Sequence, residues 1–217
     1  MEPVICVGRS GTRRSRDPQV LRGLREAFAR DRFLLLPSFL PTDLAATFAR
    51  LVEAGGFELD REGSGYWEKC ASGAPAALAG LLNDRSVFEF IGEISGKTVM
   101  SFIGRAYRYG VRPDGEGIAW HPDTEDRRAV GISINLSRRP YDGGTWQLRR
   151  AATRQGLASV PNPRLGQALL FDLAEDVEHR MAPVSAGVKV AFAGWFRYAR
   201  APGFSDWLRS GPLESQP

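Results

Sequence analysis

Apolar and polar positions change rhythm near the middle of this chain. Val20, Leu21, Leu24 and Phe28 recur at helical spacing behind Asp17-Pro18, an N-cap followed by the residue favoured at the first helical position. A four-residue apolar run, Phe33–Leu36, ends at Pro37 and reads as a short buried strand. A second helix is predicted over Thr42–Ala54, stopped by Gly55-Gly56. Two more are predicted over Ala74–Leu82 and Ser86–Ile94. Between Phe57 and Gly73 the chain is polar, aromatic and without period. That stretch fits a lid presenting Tyr66 and Trp67 over a site, or an ordinary surface connection.

From Val99 onward short extended runs alternate with Gly, Pro and Asp clusters. Strands are predicted over Val99–Tyr109, Ile118–His121, Ala129–Leu136, Thr145–Arg149, Ala168–Phe171, Val177–Pro183 and Lys189–Tyr198. Seven short strands at this spacing indicate a sandwich or barrel-like β core. With no internal repeat or linker, the chain reads as one domain. Residues 1–98 form a mostly helical support, 99–200 the β core and 201–217 a tail with a short helix around Ser205–Arg209.

Composition narrows the setting. A chain of 217 residues that is 43% hydrophobic can bury a substantial core. Two cysteines, Cys6 and Cys70, cannot form a disulfide framework, and no apolar run approaches membrane-span length. The expectation is a cytoplasmic protein without a membrane partner. The net charge of +4 comes with arginine rather than lysine, and much of it lies in Arg9–Arg16, which reads as a flexible, solvated segment. A modest basic excess of that kind is weak evidence for nucleic acid.

Only two histidines occur, His121 and His179, and the first opens His121-Pro-Asp123. Two imidazoles and a carboxylate on one face of a metal leave the opposite face open, as in mononuclear non-haem iron sites. His121 and Asp123 are two apart and share a side of an extended strand. A bare His-x-Asp triplet also arises by chance, so the surroundings of His179 matter. Val177–Lys189 reads as a hairpin turning at Ser185-Ala-Gly187. In that register Lys189 lies opposite Pro183, on the same side as His179 and roughly 13 Å from it at about 3.3 Å per residue. A metal, a short dicarboxylate and an extended lysine would fill that gap. A lysine facing an apolar interior needs such an anion; otherwise Lys189 is a strand residue facing solvent.

From about Phe102 to Arg197 the chain resembles the Fe(II)- and 2-oxoglutarate-dependent dioxygenases, most closely their prolyl-hydroxylase-like branch. The matching stretches are Tyr109-Gly110, His121-x-Asp123, Ile134-Asn-Leu136, Tyr141-Asp-Gly-Gly144, Gly166-x-Ala-Leu-Leu-Phe171 and His179-Arg-x-x-Pro183-Val184 followed by Lys189, with Asp31–Pro37 as a lead-in. The resemblance implies a double-stranded β-helix, a cupin-like jelly roll, buttressed by α-helices. It implies His121, Asp123 and His179 as catalytic iron ligands, and Lys189 on the distal carboxylate of 2-oxoglutarate. Asn135 stands where relatives often place Tyr or Thr. Tyr109, or Tyr107 as its alternative, would reach the chelating end of the co-substrate, and Arg197 is a further candidate for the same pocket.

The implied activity is hydroxylation of an unactivated C–H bond in a small molecule, amino acid or peptide side chain, using Fe(II), 2-oxoglutarate and O₂ and releasing succinate and CO₂. Asp123 retains the carboxylate that halogenating members lack. Desaturation, cyclisation and epimerisation use the same oxidant. A nucleic-acid demethylase of the same superfamily is one alternative, although Lys189 stands where such enzymes carry an arginine. A non-catalytic metal- or 2-oxoglutarate-binding sensor is another. Trp120 and Trp67 are candidates to wall the substrate pocket, and Arg105 and Arg149 to meet a carboxylated substrate.

Overall fold

The computed structural model describes residues 3–59 and 68–198. Tyr66, Trp67 and the helix expected around Ser205–Arg209 lie outside the described residues. The chain opens with a hairpin, β1 (Ile5–Gly8) and β2 (Gly11–Arg14). Helix α1 (Pro18–Asp31) follows, and the Asp17 carboxylate accepts the Gln19 amide at 2.8 Å, as the cap predicts. Strand β3 (Phe33–Leu36) and α2 (Thr42–Ala54) match expectation. Then come β4 (Phe57–Leu59), β5 (Glu68–Cys70), α3 (Ala74–Leu82) and α4 (Arg85–Ser95).

The β half holds β6 (Ser101–Gly110), β7 (Ile118–His121), β8 (Arg128–Asn135), β9 (Asp142–Gly143), β10 (Trp146–Arg150) and β11 (Gly156–Val160). It closes with β12 (Ala168–Asp172), β13 (Val177–Met181), β14 (Val184–Ala186) and β15 (Val188–Arg197). A seven-stranded sheet runs β3-β12-β8-β15-β6-β5-β4, and a four-stranded sheet runs β11-β10-β13-β7. Every pairing among them is antiparallel. This is the expected double-stranded β-helix.

Alternation sorts the large sheet's side chains into two faces. Phe102, Phe192, Phe196, Ile134 and Leu170 are buried with the helical residues Phe28, Phe48, Phe90 and Ile91. The opposite face supplies Leu169 and Phe171 to a second apolar cluster with Trp146, Leu148 and Val177 of the small sheet. The first cluster fixes the sheet on its helices, and the second closes one end of the space between the sheets.

Two expectations are corrected, and the stretch from Phe57 to Gly73 gains two strands. Arg9–Arg16 is not a flexible, solvated segment: its middle, Gly11–Arg14, is β2, and Arg14 bridges Glu93 at 2.7 Å and Glu89 at 3.0 Å on α4. Within the stretch read as a lid or a surface connection, β4 and β5 pair with each other and extend the large sheet beside β6. Val177–Lys189 is not a hairpin. Strand β13 belongs to the small sheet and β15 to the large one, and the intervening β14 pairs with β9. The chain crosses between sheets where a tight turn was expected.

Candidate active site

The inward face of the large sheet is a set of side-chain rows. Tyr109 lies opposite Lys189, Tyr107 opposite Ala191, and Ala191 opposite Asn135. Two residues along, Arg105, Ala193 and Ser133 form the next row, followed by Trp195 beside Gly131. The facing sheet contributes His121 and His179, themselves register partners on β7 and β13. A cavity of about 580 Å³ lies between and is lined by these residues. That volume is in the range of small-molecule sites.

His121, Asp123 and His179 each offer one ligand atom, all within 4.8 Å of one another. The Asp123 Oδ2 lies 3.7 Å from Nε2 of both imidazoles. His121 holds Nδ1 at 2.8 Å from the Ala119 carbonyl, which assigns the proton to Nδ1 and leaves Nε2 as a donor to metal. His179 is buried, with the Phe171 ring at 4.7 Å and the Trp146 ring at 6.1 Å. Burial, with His121 alongside, pushes its pKa down to about 3, so it is the neutral imidazole a metal requires. Burial would lower His121 as well, but contact with Asp123 outweighs it and raises the pKa. Burial works against charge on Asp123, yet the two imidazoles and Trp195 hold its carboxyl at about 2.

Asp123 is held from both sides. Its Oδ2 accepts the Trp195 indole N–H at 2.7 Å and its Oδ1 accepts Arg128 at 2.8 Å. The Arg128 guanidinium lies 4.0 Å over the Trp195 ring. Asp123 itself adopts φ 55°, a left-handed conformation uncommon for a non-glycine residue. Sequence reasoning did not single out Trp195 or Arg128. Trp195 was legible, since it is six residues from Lys189 and shares its face; five residues of loop beyond Asp123 gave no such signal for Arg128.

At the other end, Lys189 is buried, and Nζ donates to the Gly144 carbonyl at 2.6 Å and to Asn162 Oδ1 at 3.1 Å. No carboxylate among the described residues pairs with it, and burial pushes its pKa down to about 8. Gly144, at φ 63°, brings its carbonyl to the amine, and a Cβ there would stand 3.1 Å from Lys189 Cδ. Asn162, also not anticipated, donates to the Gly143 carbonyl at 2.5 Å. It ties the loop after β11 to the end of β9.

The remaining expected residues divide. Tyr107 and Tyr109 both line the cavity, 6.0 Å apart. Asn135 lines it too, but its amide is committed to backbone, donating to Pro163 at 2.7 Å and accepting from Ser137 at 3.1 Å. Arg197 is not brought to the cavity, because its Nε donates to the Asp126 carbonyl at 2.8 Å beyond the end of the row. Trp120 is held between Arg149 at 4.3 Å and Arg180 at 4.7 Å, and Arg149 pairs with Glu178 at 2.7 Å. Neither Trp120 nor Arg149 lines the cavity; Arg105 does.

This geometry agrees with a family match. Residues 104–197 match the model of the 2OG-Fe(II) oxygenase superfamily. The matched stretch is the β core, which resembles that of the 2OG-Fe(II) oxygenases. Solved structures agree on the fold. A prolyl-4-hydroxylase from Pseudomonas putida superposes with TM-score 0.62 at 21% identity, covering 82% of this chain and 99% of its own. A prolyl hydroxylase from Trichoplax adhaerens, solved with a hypoxia-inducible-factor peptide, gives 0.62 at 16% identity, covering 82% and 89%. The non-haem α-ketoglutarate-dependent epimerase SnoN from nogalamycin biosynthesis gives 0.63 at 18%, covering 93% and 91%. No curated protein sequence matches this chain. The residues present fit the Fe(II) and 2-oxoglutarate of that family: three converging donors at one end, and at the other a buried lysine that lacks an anion among the described residues. Among the described residues no helix is long and apolar enough to cross a membrane.

Proposed function

We propose that this oxygenase hydroxylates an unactivated C–H bond of a small molecule, amino acid or peptide side chain. One observation carries the reading: the His121–Asp123–His179 set and the buried Lys189, which has no carboxylate partner among the described residues, line the same cavity from facing sheets. When bound, Fe(II), 2-oxoglutarate and O₂ supply the oxidising chemistry, with succinate and CO₂ released. The protein's part is orientation and exclusion of water. His121, Asp123 and His179 would hold the metal, and Trp195 and Arg128 occupy lone pairs of both Asp123 oxygens. Lys189, steadied by Gly144 and Asn162, takes the distal carboxylate. Tyr107 and Tyr109 line the same cavity and would meet the co-substrate there. The apolar walls Leu169, Phe171 and Met181 keep the interior dry enough for these contacts to be strong.

The test is an anaerobic titration of Fe(II) and 2-oxoglutarate, followed by the visible charge-transfer band of the chelate. The band is expected in the wild type, absent in His179→Ala, and moved to much higher 2-oxoglutarate concentration in Lys189→Ala. Oxygen admitted to the complex together with a candidate substrate, such as the free protein amino acids, should then give succinate, and a product that has gained one oxygen atom. A folded wild type that shows no band would exclude the assignment. Succinate formed with a product of unchanged composition would make the reaction an isomerisation rather than a hydroxylation.

A further inference from the structure

The described residues lining the cavity include four cations, Arg105, Arg128, Arg180 and Lys189, and two anions, Asp123 and Glu125. With both imidazoles neutral, the lining carries a charge of +2. Loading Fe(II) and the 2-oxoglutarate dianion adds +2 and −2, so the filled site is still +2. Most of this charge is accounted for locally. Arg128 pairs with Asp123 at 2.8 Å and Glu125 at 3.4 Å. On the reading proposed above, Lys189 meets the co-substrate. Arg180 donates Nε to Gln147 at 2.6 Å and lies over Trp120. Arg105 remains, exposed, with no hydrogen bond or ion pair to any described residue.

Its position suits a ligand. Arg105 sits on the inward face of β6, in the row with Ala193 and Ser133. That row is about 7 Å, two strand residues, from the row of Trp195, which holds the metal's carboxylate. Ala193 is too small to cover the floor beside the guanidinium, and the Ser133 hydroxyl has no hydrogen-bond partner among the described residues. The guanidinium fork matches a carboxylate bidentately. Arg149, the other arginine the sequence offered for this task, is spent on Glu178 outside the cavity.

We infer that Arg105 is a specificity-determining residue and that the substrate of this oxygenase is a small molecule carrying a free carboxylate. The inference rests on the co-substrate assignment above, with Lys189 serving 2-oxoglutarate and Arg105 serving the second guest.

The experiment uses the anaerobic Fe(II)- and 2-oxoglutarate-loaded protein and matched probes, the free protein amino acids and their primary amides. Binding is read from perturbation of the chelate band, and separately from thermal stabilisation. In the wild type, at least one acid is expected to bind about 10- to 100-fold more tightly than its amide, the range of a charge-assisted hydrogen bond. Arg105→Gln should remove that preference while leaving the 2-oxoglutarate titration where it was. Equal binding of acids and amides would overturn the inference, as would an undiminished preference in Arg105→Gln. It also fails if no acid binds although the chelate band forms. A 2-oxoglutarate titration weakened in Arg105→Gln would reassign the arginine to the co-substrate. Absence of the band in the wild type is a different result, and it strikes the proposed function instead.

Discussion

Two cavity side chains of opposite charge, the half-buried Asp123 and the buried Lys189, receive opposite treatment here. Asp123 is surrounded by donors, with Trp195 at 2.7 Å and Arg128 at 2.8 Å, and its carboxyl is held at about 2. Partners that orient a metal's ligands are typically worth 10- to 100-fold in metal affinity. Trp195→Phe keeps a ring under Arg128 but removes the indole N–H, and should weaken Co(II) binding to the apo-protein by about that factor. Unchanged Co(II) affinity would show that Arg128 alone suffices. Lys189 instead has two neutral acceptors and no anion. Lys189→Met should cost at least about 2 kcal/mol of 2-oxoglutarate affinity, roughly 30-fold. It should also raise the apo-protein's melting temperature, because an uncompensated buried charge is replaced by an apolar chain of similar length. A variant that melts lower than wild type would contradict the second half. At this scale the sequence was most legible where residue chemistry is restrictive: two histidines, one His-x-Asp and one lysine in the second half of the β core left few combinations. Asn135 shows the limit, since an amide can hold backbone as readily as ligand, and here it holds Pro163 and Ser137.

Elements were legible through periodicity, and sheet membership was not. The seven expected strands correspond to β6, β7, β8, β10, β12, β13 and β15 within a few residues at each end. The hairpin drawn between β13 and β15 nevertheless failed. Alternation states which side chains share a face, but two strands joined by turn residues can equally lie in facing sheets. Lys189 and His179 do line one cavity, because both inner faces look into it, and the reason is the jelly-roll crossover rather than the turn. Strand β11, Gly156-Leu-Ala-Ser-Val160, escaped notice because it carries one β-branched residue and no clean alternation. The large sheet is tied to its helices by Asp172 at the end of β12. Its buried carboxylate pairs with Lys97, beyond α4, and at 2.6 Å with Arg32, which ends α1. Asp172→Asn leaves two partly buried cations facing a neutral amide and should destabilise the fold by about 3 kcal/mol or more. Denaturant unfolding would measure this, and a loss within 1 kcal/mol, the usual scale of surface pairs, would show the network to be solvated.

Across the whole molecule the site belongs to both sheets at once. The imidazoles come from the small sheet, while the indole that steadies Asp123 comes from the large one. Lys189 reaches from the large sheet to Gly144 and Asn162, in loops bounding strands of the small one. Filling the cavity therefore ties the sheets together, and the proton on Lys189 reports it. Burial lowers this amine from its ordinary 10.5 to about 8. Between those values the unfolded chain holds a proton that the folded apo-protein does not, so this group makes apo-protein stability rise as pH goes from about 8 toward 10.5. A bound dicarboxylate restores the charged form. Below pH 8 the amine is charged before and after binding, and no proton moves. Above it, binding takes up a proton, and 2-oxoglutarate affinity should fall by up to about tenfold per pH unit. Calorimetric titration of the metal-loaded protein in two buffers of different ionisation enthalpy measures that uptake directly. Uptake approaching one proton above pH 8 in the wild type, with none in Lys189→Met, is the expected pair. Pure stability loss in the variant would leave uptake unaltered, so the difference isolates the amine's electrostatic role from any part it has in packing the crossover.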